Sequence, residues 1–264
     1  MVDRIDQKIV LFSGGSDSTA LLYKLLNETT DKLHVHHIEL NQSSSIRYLA
    51  EEKATREVLS WCRNNFPDRP FSYSESSIRF YNATGPDHYI WALHGGMLVA
   101  AGHGNVMYTG RIATDDSGLG SLNQIRAESI FKIVTGDPTA KWELPIEHLC
   151  KRDLIRNTPK ELFELSWSCR TPILFEKQYK WCYHCIGCLR RIEGMWQSGL
   201  YERDEELYEQ FSNAFDKKCP TIMNGSMEDI GKISVGSNKL PPLPTESNSI
   251  TKKRMFELSQ REPN

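Results

Sequence analysis

Lys8-Ile-Val-Leu-Phe-Ser-Gly-Gly-Ser-Asp-Ser-Thr-Ala-Leu-Leu-Tyr-Lys-Leu-Leu26 is the stretch on which the fold turns. Lys8 to Phe12 is a short apolar run followed by glycines, as expected of a strand buried in a parallel sheet. From Thr19 to Leu26 the apolar residues return at helical spacing. Between them, Ser13 to Asp17 forms a loop of small residues. Its two glycines permit a tight turn and let backbone N–H groups approach an anion. The helix that follows turns its free N–H groups and its positive dipole end to the same point. Ser13, Ser18 and Thr19 add hydroxyl donors, and Asp17 either caps the helix or helps hold a metal ion on bound phosphates. The stretch is not a Walker loop, because no Gly-Lys-Ser/Thr follows the glycines, and it lacks the third glycine of the dinucleotide fingerprint. Gly102-His-Gly104 precedes its strand and is no substitute.

Working outward, Leu33 to Leu40 reads as a second strand and Ile46 to Phe66 as a long helix. A strand is expected near Phe71, a helix from Tyr89 to His103, a strand from Asn105 to Gly110 and a helix from Gln124 to Val134. Strands alternating with helices predict an α/β fold, a Rossmann-like parallel sheet with helices on both faces. Ligands of such sheets bind beyond the carboxyl ends of the strands, which puts the loops after Phe12 and Gly110 at one site. Beyond residue 145 the pattern turns to helix-like segments around a cysteine cluster, with a further helix over Glu202 to Asp216. From Pro220 the chain is rich in Ser, Pro, Asn and Gly and reads as a low-complexity tail, with a short docked helix near Lys253 to Ser259. The expected organisation is therefore 1–145, an anion-binding α/β domain; 146–219, a helical region around the cysteine cluster; and 220–264, the tail.

The chain has 264 residues, 32 Lys plus Arg against 34 Asp plus Glu, and a formal charge of −2. That balance argues against nucleic acid as the main partner, which calls for a basic excess. The first residues lack the apolar stretch of a signal peptide, and the apolar run from Tyr89 to Gly104 is too short to span a bilayer. The expectation is a cytoplasmic protein with its seven cysteines reduced.

Cys182-Tyr-His-Cys185-Ile-Gly-Cys188 places three thiols two residues apart, with Cys169 thirteen positions upstream. Sulfurs so spaced can wrap one ion, and four with no open position predict a structural Zn2+ site. An iron–sulfur cluster is the competing reading. Cys188 is expected to open the following helix. His184 is a weaker candidate ligand between two better ones. Cys62, Cys150 and Cys219 lack such spacing. His34, His36 and His37 alternate along a strand and make a poor metal site.

Ser-Gly-Gly-Ser-Asp-Ser resembles the PP-loop of the ATP pyrophosphatase superfamily, with its adenine nucleotide alpha hydrolase-like fold. The resemblance implies that Phe12, Ser13, Gly14, Gly15, Ser16, Asp17, Ser18 and Thr19 bind ATP with Mg2+. It further implies adenine beside Ile38 and Gly110 at the same site. PP-loop together with the Cys-x12-Cys-x2-Cys-x2-Cys pattern resembles 7-cyano-7-deazaguanine synthase (QueC), from about Lys8 to Met195, with Arg190 or Arg191 matching an Arg of that family. Thr114-Asp-Asp-Ser-Gly118 resembles its Thr-Asp-x-Ser-Gly. By that resemblance Asp17, Ser18 and Asp115 are catalytic, Asp115, Ser117, Gly118 and His88 meet the substrate, and Cys169, Cys182, Cys185 and Cys188 hold zinc. The implied chemistry is that of an ATP-dependent carbon–nitrogen ligase of queuosine biosynthesis. It adenylates 7-carboxy-7-deazaguanine, releases pyrophosphate, and forms the amide and then the nitrile. A homodimer is also implied.

The chain departs from that family where the substrate or its nucleophile would sit. Leu119-Gly-Ser-Leu-Asn123 replaces Tyr-Pro-Asp-Cys-Arg, Gly85-Pro-Asp-His88 replaces Pro-Gly-Arg-Asn, and Glu39-Leu-Asn-Gln-Ser-Ser44 keeps only the Gln of Asp-Tyr-Gly-Gln-Arg-His. Two readings stay open. One is a divergent nitrile synthase. The other is a relative, as in antiphage (antiviral defence) operons, that hands the activated deazaguanine to a protein amine. A zinc-dependent nucleic-acid module using Arg190, Arg191, Trp181, Tyr183 and Trp196 is a further alternative, as is a tRNA sulfur-transfer enzyme.

Overall fold

The structure is a computed structural model that describes residues 6–42, 46–80, 87–112, 122–183 and 185–202. Five parallel strands form the centre: β1 (Lys8–Phe12), β2 (Leu33–Gln42), β3 (Ser72–Phe80), β4 (Val106–Thr109) and β5 (Lys141–Glu143), in the order β3-β2-β1-β4-β5. The chain builds outward from β1 in one direction and then restarts on its other side, so the order reverses between β1 and β4. That reversal opens a crevice at the carboxyl ends of those two strands.

Helices cover both faces. Val10, Phe12, Val35, Val106 and Tyr108 pack against α1 (Ser16–Glu28), α2 (Arg47–Asn65), α5 (Lys151–Arg156) and α6 (Lys160–Leu165). Ile9, Leu11, Ile38, Leu40 and Met107 point the other way, onto α3 (Asp87–Ala100) and α4 (Leu122–Thr135). Strand alternation thus feeds two cores from one sheet. Ile146, Leu154, Ile155, Leu162 and Phe163 join the first core, so the segment after residue 145 packs directly on the strands.

Three features differ from the sequence expectation. β5 is only three residues long, with both flanking side chains exposed, so it carries no readable pattern. A hairpin of β6 (Ile173–Phe175) and β7 (Gln178–Lys180) lies between the first two knot cysteines. Its turn places Glu176 and Lys177 at φ +49° and +64°. Such primed turns usually announce themselves with Asn-Gly or Gly, and this one uses neither. Finally, α7 (Ile186–Ser198) starts earlier than expected: Cys185 is the residue at its cap, and Cys188 lies inside the first turn.

Candidate functional site

The loop after β1 is built from its own side chains. Gly15 N–H donates to Ser13 Oγ at 3.3 Å, Ser13 N–H donates to Ser18 Oγ at 3.3 Å, and the Ser18 hydroxyl donates to the Gly15 carbonyl at 3.1 Å. These bonds leave the early N–H groups of α1 directed at the crevice, the arrangement that binds anions. Gly14 has φ +71°, and a Cβ there would lie 2.7 Å from Thr55 Oγ1 and 2.9 Å from the Glu51 carbonyl. A Cβ on Gly110 would lie 2.6 Å from Ser18 N, so the end of β4 and the first turn of α1 touch backbone to backbone. Phe12, Ser13, Gly14, Gly15, Ser16, Asp17, Ser18, Thr19 and Gly110 therefore meet at one place. Ile38 is buried one register step beyond the Phe12–His37 pair, on the α3 side.

A second layer supports the loop. His37 Nδ1 lies 2.8 Å from the Phe12 carbonyl and donates to it, which leaves Nε2 as a buried acceptor with no partner among the described residues. Thr19 Oγ1 is likewise buried without one. Glu51 is buried, and burial raises its carboxyl above the ordinary value although Arg47 donates to it at 2.7 Å. Arg47 also reaches Asp87 at 3.2 Å, tying the starts of α2 and α3 together. His88 follows Asp87. Burial lowers its pKa first and the nearby Arg111 guanidinium lowers it further, which keeps the ring neutral.

The four cysteines do converge. Their Sγ atoms all lie within 4.8 Å of one another, and Cys182 and Cys188 Sγ are 3.9 Å apart. The set could hold a metal ion. Arg170 N–H donates to Cys185 Sγ at 3.2 Å, Cys182 N–H to Cys169 Sγ at 3.3 Å, and Cys185 N–H to Cys182 Sγ at 3.3 Å. Hydrogen bonds within the cluster hold the Cys182 and Cys185 thiols below their ordinary value and push Cys169 and Cys188 above it, so the four share their protons as one unit. A metal would require them as thiolates.

Arg191 anchors the knot rather than presenting charge. It is 2% exposed, and burial lowers its pKa to about 9. Its guanidinium donates to the Ser166 carbonyl at 2.8 Å and the Phe163 carbonyl at 2.7 Å, and sits 4.4 Å from the Trp181 ring centre. Arg191 is thus buried against the half-buried Trp181 rather than presented on the surface. The knot also touches the loop. Trp167 N–H donates to the Gly14 carbonyl at 2.8 Å, and Ser168 Oγ lies 3.2 Å from Ser16 Oγ.

One site residue escaped the sequence reading. Lys151, the first residue of α5, donates to Ser16 Oγ at 2.9 Å and pairs with Asp17. A lone lysine 134 residues from its partner offers no pattern to find it by. Asp115, Ser117 and Gly118, and the candidate ligand His184, lie outside the described residues.

A strand-to-helix loop at the switch point of a parallel sheet defines an α/β protein with a candidate anion site there. No family model matches the chain. Two curated proteins of Leptospira interrogans, from serovars copenhageni and Lai, both named 7-cyano-7-deazaguanine synthase, are 25% identical over 221 residues, covering 75% of this chain and 90% of each of them. A solved structure, the U34-tRNA thiolase NcsA of Methanococcus maripaludis with its [4Fe-4S] cluster, superposes with a TM-score of 0.43 at 13% identity, over 94% of this chain and 82% of that one. Over most of its length the chain is therefore similar to 7-cyano-7-deazaguanine synthases.

Proposed function

We propose that the chain activates the carboxylate of a 7-deazaguanine, in the first place 7-carboxy-7-deazaguanine, as an adenylate. A carboxylate oxygen attacks the α-phosphorus of ATP, the bond to the bridging oxygen breaks, and pyrophosphate leaves with the electron pair. A nitrogen nucleophile then displaces AMP and gives up a proton. The observation that carries this reading is the loop itself: bare amides at the start of α1, closed over by Gly110, at the point where the strand order reverses. The similarity to two deazaguanine synthases over most of the chain supports the substrate class.

The chain's own residues bind and position. The amides of the first turn of α1 hold phosphate oxygens. Asp17, partly exposed there, fits Mg2+, which asks for a carboxylate beside phosphate oxygens and offsets charge on the pyrophosphate. Neutral His88 and the Arg111 guanidinium face the start of α3 and suit a carboxylate or a nucleobase edge. For the knot we propose zinc. Bonds of about 2.3 Å in a tetrahedron separate sulfurs by about 3.8 Å, close to the 3.9 Å between Cys182 and Cys188. A cubane would spread the four thiolates around four irons instead.

The acceptor is ammonia in the simplest form of this reading, giving amide and, with a second ATP, nitrile. A protein amine is the second reading. It is favoured by Asp87, engaged by Arg47, and His88 at the start of α3, where the resembling family carries Arg-Asn. Incubation with ATP, Mg2+, ammonium and 7-carboxy-7-deazaguanine, followed by mass spectrometry of small molecules and protein together, tests both. Amide or nitrile supports the first acceptor, and a deazaguanine adduct on protein supports the second. No ATP consumption with this acid overturns the substrate. Asp17→Ala should abolish pyrophosphate release with metal content unchanged, and retained turnover would remove the loop from the mechanism.

A further inference from the structure

We propose that Ser168 couples the two sites of this molecule, so that an anion on the β1–α1 loop tightens the grip of the knot on its metal, and the metal in turn favours the anion. This rests on the ATP reading above for the identity of the anion, and it gives the knot a task besides holding its own fold. The link is the short segment between α6 and Cys169. On one side it lies along three consecutive loop residues. Trp167 N–H donates to the Gly14 carbonyl at 2.8 Å, a Cβ on Gly15 would lie 3.3 Å from the Trp167 carbonyl, and Ser168 Oγ is 3.2 Å from Ser16 Oγ. On the other side it is set into the knot. Arg191 donates to the Ser166 carbonyl at 2.8 Å, and Trp167 Nε1–H donates to the Cys169 carbonyl at 2.9 Å. A Cβ on Gly187, between Cys185 and Cys188, would collide with the Ser168 carbonyl. A shift of Cys169 therefore carries with it the groups that hold Gly14 and Ser16.

Ser16 is buried and accepts a hydrogen bond from the Lys151 ammonium, which can only donate. The Ser16 and Ser168 hydroxyls share one bond between two protons, so one O–H is left to donate to a ligand oxygen at the start of α1. Ser168 sets which way that hydroxyl turns, which makes it a positioning residue. The sign of the coupling separates this route from electrostatics. Four thiolates around one divalent ion keep an excess of negative charge, which by itself repels a phosphate. Salt screens that repulsion over about 8 Å at physiological ionic strength, and the hydrogen bonds through Trp167 and Ser168 do not depend on it. The charged groups around the loop, Asp17, Lys151 and Arg111 beside Gly110, belong to other elements and stay in every variant below. The hydrogen-bond route predicts mutual strengthening and the charge route mutual weakening. Linkage makes the factor the same in both directions.

The test is the zinc affinity of the full chain, measured by competition with an indicator dye that does not bind magnesium. It is taken with and without a saturating magnesium complex of α,β-methylene-ATP, whose α–β bridge is not cleaved. Nucleotide should raise zinc affinity about tenfold, within the usual range of coupling between sites. In Ser168→Ala, which keeps the Trp167 bond, the gain should fall to about threefold, the difference being the worth of one hydrogen bond. Ser168→Thr keeps the hydroxyl and should restore the gain. Ser168→Ala added to Ser16→Ala should change nothing further, because both remove the same contact. A general stabilisation of the fold by nucleotide would instead raise zinc affinity equally in every variant at saturation. Equal gains in Ser168→Ala and the unmodified chain, or a loss of zinc affinity with nucleotide, overturn the coupling and leave the ATP reading standing. A chain that binds no nucleotide by calorimetry removes both, and one whose knot takes up no zinc removes the coupling alone.

Discussion

Two clusters in this molecule are made of the side chains metals favour, and they came to opposite ends. In the knot, Cys169, Cys182, Cys185 and Cys188 aim four sulfurs at one point. In the sheet, His34 and His36 of β2 gather with His94 and His103 of the α3 region, which are distant in sequence. His34 stacks on His103 at 5.1 Å and on His36 at 6.3 Å. Yet among the described residues only the cysteines group as a metal site. The difference is where the donor atoms point. A strand advances its same-face side chains by about 7 Å per pair, so imidazoles two residues apart stay side by side and never converge. Their nitrogens are instead taken by hydroxyls of β3. His34 reaches Ser72 at 2.8 Å and Ser74 at 2.7 Å; His36 reaches Ser74 at 2.7 Å and Ser76 at 3.0 Å. Convergence, not composition, makes a metal site. The ladder is satisfied from within, and the knot asks for an ion.

The largest effect should follow from breaking the knot. Its three buried cysteines and one half-buried one have little apolar packing besides Trp167 and Trp181, so the ion's binding energy is folding energy. In small zinc modules that amounts to about 10 kcal/mol or more. Cys185→Ser, or exhaustive chelation, should remove the metal and unfold the segment from Trp167 to α7. Trp167 holds the Gly14 carbonyl, so protection of the β1–α1 loop against hydrogen exchange should fall as well. A Cys185→Ser chain that keeps its melting temperature would mean that the cysteines are held by packing alone. Adding zinc to that variant should not load the histidine ladder, where both nitrogens of His34 and of His36 are already paired.

The two clusters also differ in how far they could be read beforehand. The cysteines lie within twenty residues and their spacing is the signal. The strand Lys8–Phe12, the loop after it and the alternation of strands and helices are equally local, and the structure has them where the periodicity puts them. The ladder is not local. His34 and His36 alternate visibly, but their partners Ser72, Ser74 and Ser76 are about forty residues away and meet them only through the β2–β3 register. Lys151 on Asp17 and Arg191 under the knot are long-range in the same way. The β6–β7 hairpin was hidden for another reason: its turn residues, Glu176 and Lys177, adopt φ above zero without the glycine or asparagine that signals it.

Acid should separate the clusters next. Burial, reinforced by His34, His94, His37 and His103, pushes His36 down to about 4 from an ordinary value of 6.5. His34 and His94 are also lowered, chiefly by burial. The unfolded chain therefore takes up protons that the folded chain refuses. Stability from these groups is intact above pH 6.5 and is lost as pH falls toward 4. By pH 5 the loss from His36 alone should be about 2 kcal/mol. Denaturant melts between pH 7.5 and 5 should show that loss, and His36→Gln should flatten it. Acid also discharges thiolates in the knot, but in both proteins alike, so the difference between the two slopes reports the ladder. Parallel slopes would mean that the imidazoles are hydrated and titrate freely.

The smallest effect is the most specific. Ser76 ends the ladder: its hydroxyl lies 3.0 Å from His36 Nε2 and 3.5 Å from His94 Nδ1, the second distance marking a weak bond. Each neutral imidazole has one donor and one acceptor nitrogen, and each hydroxyl can give one proton and accept others. A chain of the two therefore runs with a single polarity, every member fixing the tautomer of the next. Ser76→Ala removes the last member and leaves one nitrogen of a buried ring unpaired. That should cost about 1 kcal/mol, the lower end of the penalty because the second bond is long. Ser76→Thr keeps the hydroxyl on a strand position that suits a β-branched side chain and should cost nothing measurable. The contrast between Ala and Thr, rather than either value, tests the ladder. Equal stability at pH 7 would show that the serines only fill space and that the histidines are kept neutral by burial alone.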